Sequence, residues 1–135
     1  MELLNTIMNH YSDKKILVIE DDRVLRRVIL DNLKSEGFIA IEAEDGVIGL
    51  ETALREHPDL MLVDVVMPRM DGIAMLEKLR EDEWGKTAHV IMLTNLSDTE
   101  KIAFAAKKGV NDYLVKADWD IASIIDKVKE KIREN

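Results

Sequence analysis

At 135 residues and without a cysteine, the chain is the length of one domain with a substantial core, and disulfides and thiolate metal sites are excluded. The formal net charge of −8 argues against direct nucleic-acid binding, because the phosphates would be repelled. No apolar run could span a membrane and the N-terminus lacks the pattern of a signal peptide, so we expect a cytoplasmic protein.

Strands and helices are predicted to alternate along the first half of the chain. Residues 15–20 form a short run rich in β-branched side chains, which predicts a buried strand, and apolar residues at helical spacing follow it. Residues 38–43 alternate as an edge strand does, and a second helix ends before Pro58. Leu60–Asp64 is almost continuously apolar, which predicts a central strand covered on both faces.

The alternation continues to the C-terminus. A third helix is predicted over 73–79, a fourth strand over 89–94, a fourth helix around 102–106, a fifth strand over 113–115 and a fifth helix over 121–132. Five strand-then-helix units predict a doubly wound α/β fold, with helices on both faces of a parallel sheet. Ligands of such folds bind at the carboxyl ends of the strands.

One segment precedes the first strand. Its apolar residues recur at helical spacing: Leu3, Leu4, Ile7, Met8 and Tyr11. Two interpretations stay open, a frayed tail or a short helix that packs on the domain or on a partner, because a helix this short is marginal alone. We therefore divide the chain into an extension, residues 1–13, and a folded domain, residues 14–135.

Acidic residues follow the first and third predicted strands. Glu20, Asp21 and Asp22 end the first apolar run, and Asp64 ends the third. Clustered carboxylates are unfavourable unless a cation or protons neutralise them, so they indicate a functional pocket. Carboxylate oxygens are suitable ligands for Mg²⁺, whereas Asp22 is also placed to cap the following helix.

The fourth and fifth strands end on Thr94 and Lys116. Taken alone, the threonine is an ordinary strand end and the lysine an ordinary surface charge. A hydroxyl and an ammonium that face the acids would suit a transferred phosphoryl group, whose oxygens need donors and positive charge. The combination therefore predicts phosphoryl chemistry.

The four segments "ILVIEDD", "LMLVDVVMPRMDG", "VIMLTN" and "DYLVKAD" resemble the receiver domain of two-component response regulators. The resemblance runs from Lys14 to the C-terminus, with intervals of 43, 30 and 22 residues between Asp21, Asp64, Thr94 and Lys116. It implies a flavodoxin-like (βα)5 fold with strand order 2-1-3-4-5. It also implies a stand-alone receiver without its own output domain.

The resemblance implies a role for each site residue. Asp64 would accept a phosphoryl group from a sensor histidine kinase or a phosphotransfer protein. Lys116 would pair with Asp64 and then with the phosphoryl group, which Thr94 would also bind, and Tyr113 would move with Thr94. The magnesium ligands would be Glu20, partly through water, together with Asp21, Asp64 and the backbone carbonyl of Val66.

A switch follows from these roles. Phosphorylation adds nearly two negative charges to one side chain, and the face formed by the fourth helix, fifth strand and fifth helix would respond. We expect that face to bind a downstream protein, and phosphorylation-linked homodimers are a further expectation. The protein would catalyse its own phosphorylation and dephosphorylation without being a conventional enzyme.

Some positions depart from the family pattern. Ala117 stands where receivers usually have a proline, often after a cis bond, and Asn95 stands where they have a small residue. Val66 and Leu96 flank the phosphoryl site and are apolar. They offer nothing to orient an attacking water, so we expect a long-lived phosphorylated state.

Two other classes of protein share part of this pattern. Phosphatases of the haloacid dehalogenase kind need a second aspartate two positions after the nucleophile, where this chain has Val66. A pseudo-receiver that binds partners without phosphorylation stays as the alternative, because Asn95 and Ala117 depart from the pattern while the site residues are intact.

Overall fold

The computed structural model describes residues 11–94, 99–110, 112–117 and 120–134. Over these residues five strands alternate with five helices. The strands are β1 Lys15–Ile19, β2 Ile39–Ala43, β3 Leu60–Asp64, β4 Val90–Thr94 and β5 Asp112–Val115. The helices are α1 Arg23–Ser35, α2 Gly46–Glu56, α3 Gly72–Glu81, α4 Thr99–Lys107 and α5 Ile121–Glu134. A short 3₁₀ turn, Gly85–Thr87, precedes β4.

The five strands form one parallel sheet in the order β2-β1-β3-β4-β5, which confirms the expected flavodoxin-like topology. In the registers of β1, Ile19 lies opposite Ala43 of β2 and Val63 of β3. Because neighbouring strands end at the same level, the residues that follow them meet at one edge of the sheet. The chain reverses direction across the sheet between β1 and β3, where such folds open a crevice.

The side chains of each strand alternate between two hydrophobic layers, as the pleat requires. One layer joins the sheet to α2, α3 and α4, and the other joins it to α1 and α5. Buried residues of the first layer include Leu17, Ile19, Met61, Val63, Met75 and Leu79. Those of the second include Ile16, Val18, Leu62, Ile29, Leu33 and Val128. The sheet is therefore fixed from both faces, and β3 and β4 are buried throughout.

Aspartates cap the first three helices. The carboxylate of Asp22 accepts the N–H groups of Val24 and Leu25, as predicted for a helix cap. Asp45 and Asp71 cap α2 and α3 in the same way. None of the helices in the described part of the chain has the length and apolar character needed to cross a bilayer.

Strand β2 begins one residue later than the sequence predicts. The N–H of Phe38 donates to the Leu33 carbonyl and closes the end of α1, after Gly37 at φ 98°, so it is not available to the sheet. The ring of Phe38 stacks on Tyr11 with centroids 4.5 Å apart. This contact ties the end of the extension to the domain. Of the extension over 1–13, in which a short helix is predicted, residues 11–13 form a turn and residues 1–10 lie outside the described residues.

Candidate functional site

Three carboxylates meet at the carboxyl edge of the sheet. Glu20 and Asp64 are buried, at 0% and 2% exposure, whereas Asp21 is exposed. Each offers one oxygen within a group whose atoms lie within 4.8 Å of one another. Because β1 and β3 are neighbours, the residues that end them are brought together although 43 positions separate Asp21 from Asp64.

Lys116 reaches into this cluster from the loop after β5. Its ammonium lies 3.0 Å from Asp64 Oδ1 and 3.4 Å from Glu20 Oε1. Its backbone N–H donates to the carbonyl of Thr94 at 2.7 Å, which anchors the loop to the end of β4. Thr94 itself is buried, at 1% exposure. The ammonium of Lys116 is therefore shared by two carboxylates.

The remaining predicted site residues lie at different depths. The Val66 N–H donates to Asp64 Oδ1 at 3.2 Å, while its side chain is 53% exposed at the rim. Tyr113 is on β5 and is 47% exposed. The peptide bond between Lys116 and Ala117 is trans. Asn95 and Leu96 lie outside the described residues.

The charges of the cluster perturb one another. Burial, together with the hydrogen bond and charge of Asp64, raises the pKa of Glu20 to about 8. Burial alone would lower the pKa of Lys116, but its hydrogen bond with Asp64 and the charges of Asp64 and Glu20 raise it. The cluster therefore holds more negative charge than a single lysine neutralises.

The donor set suits a hard divalent cation. Glu20, Asp21 and Asp64 present only carboxylate oxygens, the ligand type that Mg²⁺ prefers. The raised pKa of Glu20 is the response expected of a buried acid that lacks enough positive charge nearby. The residues present therefore fit Mg²⁺ by ligand chemistry and by charge.

A buried arginine, Arg26 on α1, supports the cluster and was missed in the sequence. It is 8% exposed, donates to the Glu20 carbonyl at 2.7 Å and pairs with Glu42 at 3.3 Å. A signal was present, because Arg26 shares its helical face with Ile29, Leu30 and Leu33. A charge within an apolar stripe indicates a buried partner.

Comparison with known proteins agrees with this geometry. A family model, the response regulator receiver domain, matches residues 16–129. The chemotaxis protein CheY of Halobacterium salinarum is 34% identical over 117 residues, which cover 87% of this chain and 95% of that protein.

Two solved structures share the fold. A CheY-like receiver domain protein from Methanospirillum hungatei has a TM-score of 0.81 at 29% identity, covering 90% of this chain and 94% of that one. The receiver domain of a sensor histidine kinase from Pseudomonas aeruginosa has a TM-score of 0.77 at 28% identity, covering 88% of this chain and 97% of that one. That structure has a magnesium ion coordinated in its active-site cleft.

Several other relatives are longer proteins. The chain spans 49% of the length of the DNA-binding transcriptional regulator RpaA of Synechocystis, at 31% identity. It spans 42% of a probable transcriptional regulator of Porphyridium aerugineum. The family model over residues 16–129 and the similarity to CheY, together with the fold and the residues at the sheet edge, show that this chain belongs to the response regulator receiver family.

Proposed function

We propose that the protein is a phosphorylation switch whose acceptor is Asp64. The observation that carries this proposal is the position of Lys116, whose ammonium lies between Asp64 and Glu20 in a cluster with excess negative charge. If Lys116 served only to stabilise the fold through an ion pair, one carboxylate partner would be enough. Two buried carboxylates on the same lysine, with an exposed third carboxylate beside them, suit a site that takes up a cation and a phosphoryl group.

The donor would be a phosphohistidine of a sensor kinase or a phosphotransfer protein. A carboxylate oxygen of Asp64 attacks the phosphorus, the new P–O bond forms as the P–N bond breaks, and the released imidazole nitrogen takes up a proton. Lys116 already contacts Asp64 and would follow the negative charge onto the phosphoryl oxygens. The N–H of Val66 holds the acceptor carboxylate in place.

Mg²⁺ would be held by Glu20, Asp21, Asp64 and the Val66 carbonyl, and it would supply charge neutralisation for the transferred oxygens. Positioning and electrostatic stabilisation account for most catalysis of phosphoryl transfer, and the residues here supply both. The receiver would therefore catalyse its own modification, in a reaction shared with the donor.

Two exposed apolar side chains suit docking of the donor. Val24, in the first turn of α1, is 74% exposed, and Val66 at the rim is 53% exposed. They follow Asp21 and Asp64 by three and two residues respectively. Both stand beside the acids that the donor must reach, and exposed apolar residues at such a site favour a protein partner.

The readout would involve Thr94 and the face formed by α4, β5 and α5. A cavity of about 10 Å³, lined in part by Val65, Ile102 and Tyr113, has room for roughly one water. Movement of Thr94 toward a phosphoryl group would be accompanied by the half-exposed Tyr113 turning into this space. The changed surface would then bind the downstream protein or a second copy.

Phosphorylation can be tested with a small donor. The protein is incubated with acetyl phosphate or phosphoramidate, with Mg²⁺ or with EDTA, and weighed by intact mass spectrometry. We expect one phosphoryl adduct with Mg²⁺, its loss in EDTA, and its loss in Asp64→Asn. Asp59→Asn is the matched control, because Asp59 lies just before β3 at the opposite edge of the sheet.

The other results would reject the proposal. No adduct with any donor would favour a pseudo-receiver that acts only by binding partners. An adduct that persists in Asp64→Asn would place the acceptor elsewhere. Steady turnover of phosphate esters would favour a phosphatase. A cytoplasmic location remains part of the proposal.

A further inference from the structure

The loop between β3 and α3, residues 65–71, begins directly after Asp64. Its ends are held by backbone hydrogen bonds, from the Val65 N–H to the Leu93 carbonyl and from the Gly72 N–H to the Val65 carbonyl, both at 2.9 Å. Its middle is a three-residue turn, in which the Met70 N–H donates to the Pro68 carbonyl at 2.7 Å. The conformation of this turn therefore sets the path that the backbone takes between Asp64 and α3.

The central residue of the turn, Arg69, has a φ of 67°. This left-handed region is unfavourable for a residue with a long side chain, and a three-residue turn with a positive central φ is rare and strained. Strain of this kind persists only when surrounding contacts hold it.

The side chain of Arg69 makes such a contact. Its Nε lies 3.3 Å from Oδ2 of Asp45, whose side chain is only 4% exposed, whereas that of Arg69 is 59% exposed. The other oxygen of Asp45 accepts the Ile48 N–H at 2.9 Å and caps α2. A buried carboxylate needs a positive partner, so the ion pair with Arg69 stabilises the charge of Asp45.

The loop also fits closely against the start of α2. A Cβ at Gly46 would clash with the carbonyl of Met70, and a Cβ at Gly72 would clash with the carbonyl of Asp64. Glycine at both positions lets the backbone of the loop approach α2 and the end of β3. The ion pair therefore joins two segments that are already in contact.

We propose that Arg69 and Asp45 are positioning residues that hold the β3–α3 loop, so that the backbone of Val66 keeps its place beside Asp64. The Val66 N–H already donates to the acceptor carboxylate. The consequence for Mg²⁺ binding rests on the proposed function, whereas the effect on the loop does not.

Two variants separate positioning from a general contribution to stability. Asp45→Asn removes the charge but keeps an oxygen that caps α2. Arg69→Gly removes the ion pair and also relieves the positive φ, so its melting temperature in EDTA should stay near that of the wild type. Glu83→Gln is the control, because it removes an exposed ion pair, with Lys86 at 3.1 Å, on another part of the surface.

The first measurement is amide hydrogen exchange without metal. In Asp45→Asn and Arg69→Gly the amides of Val66 and Met70 should exchange about three- to tenfold faster than in the wild type. The Glu83→Gln control should leave them unchanged. Wild-type exchange rates in both variants would overturn the proposal.

The second measurement is Mg²⁺ affinity by titration calorimetry. Both variants should bind about tenfold more weakly, as is typical when a residue that supports metal ligands is changed. Arg69→Lys keeps the charge and should recover most of the affinity. Unchanged affinity in variants that only melt at a lower temperature would overturn the link to the metal. If the wild type itself bound no Mg²⁺, the proposed function would fail and the exchange rates would still decide the role of the loop.

Discussion

The two edges of the sheet differ in how their charges are partnered. At the carboxyl edge Glu20, Asp21 and Asp64 gather around Lys116, and the pKa of Glu20 is raised to about 8. At the amino edge the Arg80 guanidinium donates to the carbonyls of Gly85, Ala88 and Lys108 at 2.6–2.9 Å. The carboxyl edge therefore concentrates groups of like charge, whereas at the amino edge a charged group is satisfied by backbone carbonyls.

Further contacts strengthen the amino edge. Asp112, which begins β5, lies 3.1 Å from Lys127 and 2.8 Å from Lys131 of α5. The rings of His57 and Trp84 stack with centroids 4.3 Å apart, which joins the segment before β4 to the end of α2. The comparison suggests that the amino edge offsets the instability of a functional carboxyl edge, since native proteins are only marginally stable.

The largest effect on stability is expected at the amino edge. Arg80→Met keeps the apolar part of the side chain but leaves three carbonyls without their charged donor, which should lower the free energy of unfolding by about 3 kcal/mol. Chemical denaturation would measure it, with Arg55→Met as the control because its ion pair with Glu56 is exposed. A loss no greater than the control's would mean that the amino edge is not the stabilising one.

A change at the carboxyl edge should have the opposite sign. In the folded protein the pKa of Glu20 is raised to about 8, so near neutral pH the fold opposes an ionisation that the unfolded chain allows. Glu20→Gln removes this cost and should raise the free energy of unfolding in EDTA by about 2 kcal/mol. The same variant should lose most of the additional stability that Mg²⁺ gives the wild type. Thermal melts with EDTA and with Mg²⁺ would show both effects, and destabilisation in EDTA would contradict the contrast between the edges.

The third prediction concerns pH at the amino edge. Burial would raise the pKa of Asp112, but its contacts with Lys131 and Lys127 lower it below its ordinary value. The ion pairs therefore stabilise the fold above the unfolded pKa of the carboxyl group, and the contribution is lost as the pH falls through the lower folded pKa. Asp112→Asn should cost about 1 kcal/mol at pH 7, and the difference from the wild type should shrink below about pH 4.

Denaturant titrations at several pH values would measure this difference. Glu83→Gln, whose ion pair is exposed, is the control and should show little difference at any pH. A cost for Asp112→Asn that stays constant down to pH 3 would show that the lysines do not act through the charge of the carboxylate.

The smallest effect on stability is expected at the rim. Val66→Asn changes a side chain that is 53% exposed and should alter the free energy of unfolding by less than about 0.5 kcal/mol. Its amide could orient water toward the phosphoryl group, so the acyl phosphate should decay a few-fold faster. Phosphate release would be followed beside Val24→Asn, a second exposed valine. Equal decay rates in the wild type and Val66→Asn would contradict the expectation of a long phosphoryl lifetime.

Most of the fold could be predicted from local sequence patterns. The apolar runs of β3 and β4 follow from burial on both faces of the sheet. The apolar stripe of α5 follows from burial of one helical face, and the cap at Asp22 follows from the unpaired N–H groups at a helix start. The exact ends of the strands could not be predicted in the same way. The start of β2 depended on whether the Phe38 N–H closes α1 or joins the sheet, and both are compatible with the local sequence.

The groups that make up the site could be predicted from the order of residues, because acids, a hydroxyl and a lysine follow strands that a parallel sheet must bring to one edge. The contacts between these groups depend on the packed fold, which places Lys116 between Asp64 and Glu20, Arg26 on the Glu20 carbonyl, and Arg69 on Asp45. Strand pairing follows from hydrophobic periods that can be read locally. Ion pairs between distant segments depend on side-chain depth and direction, which arise only when the helices pack on the sheet.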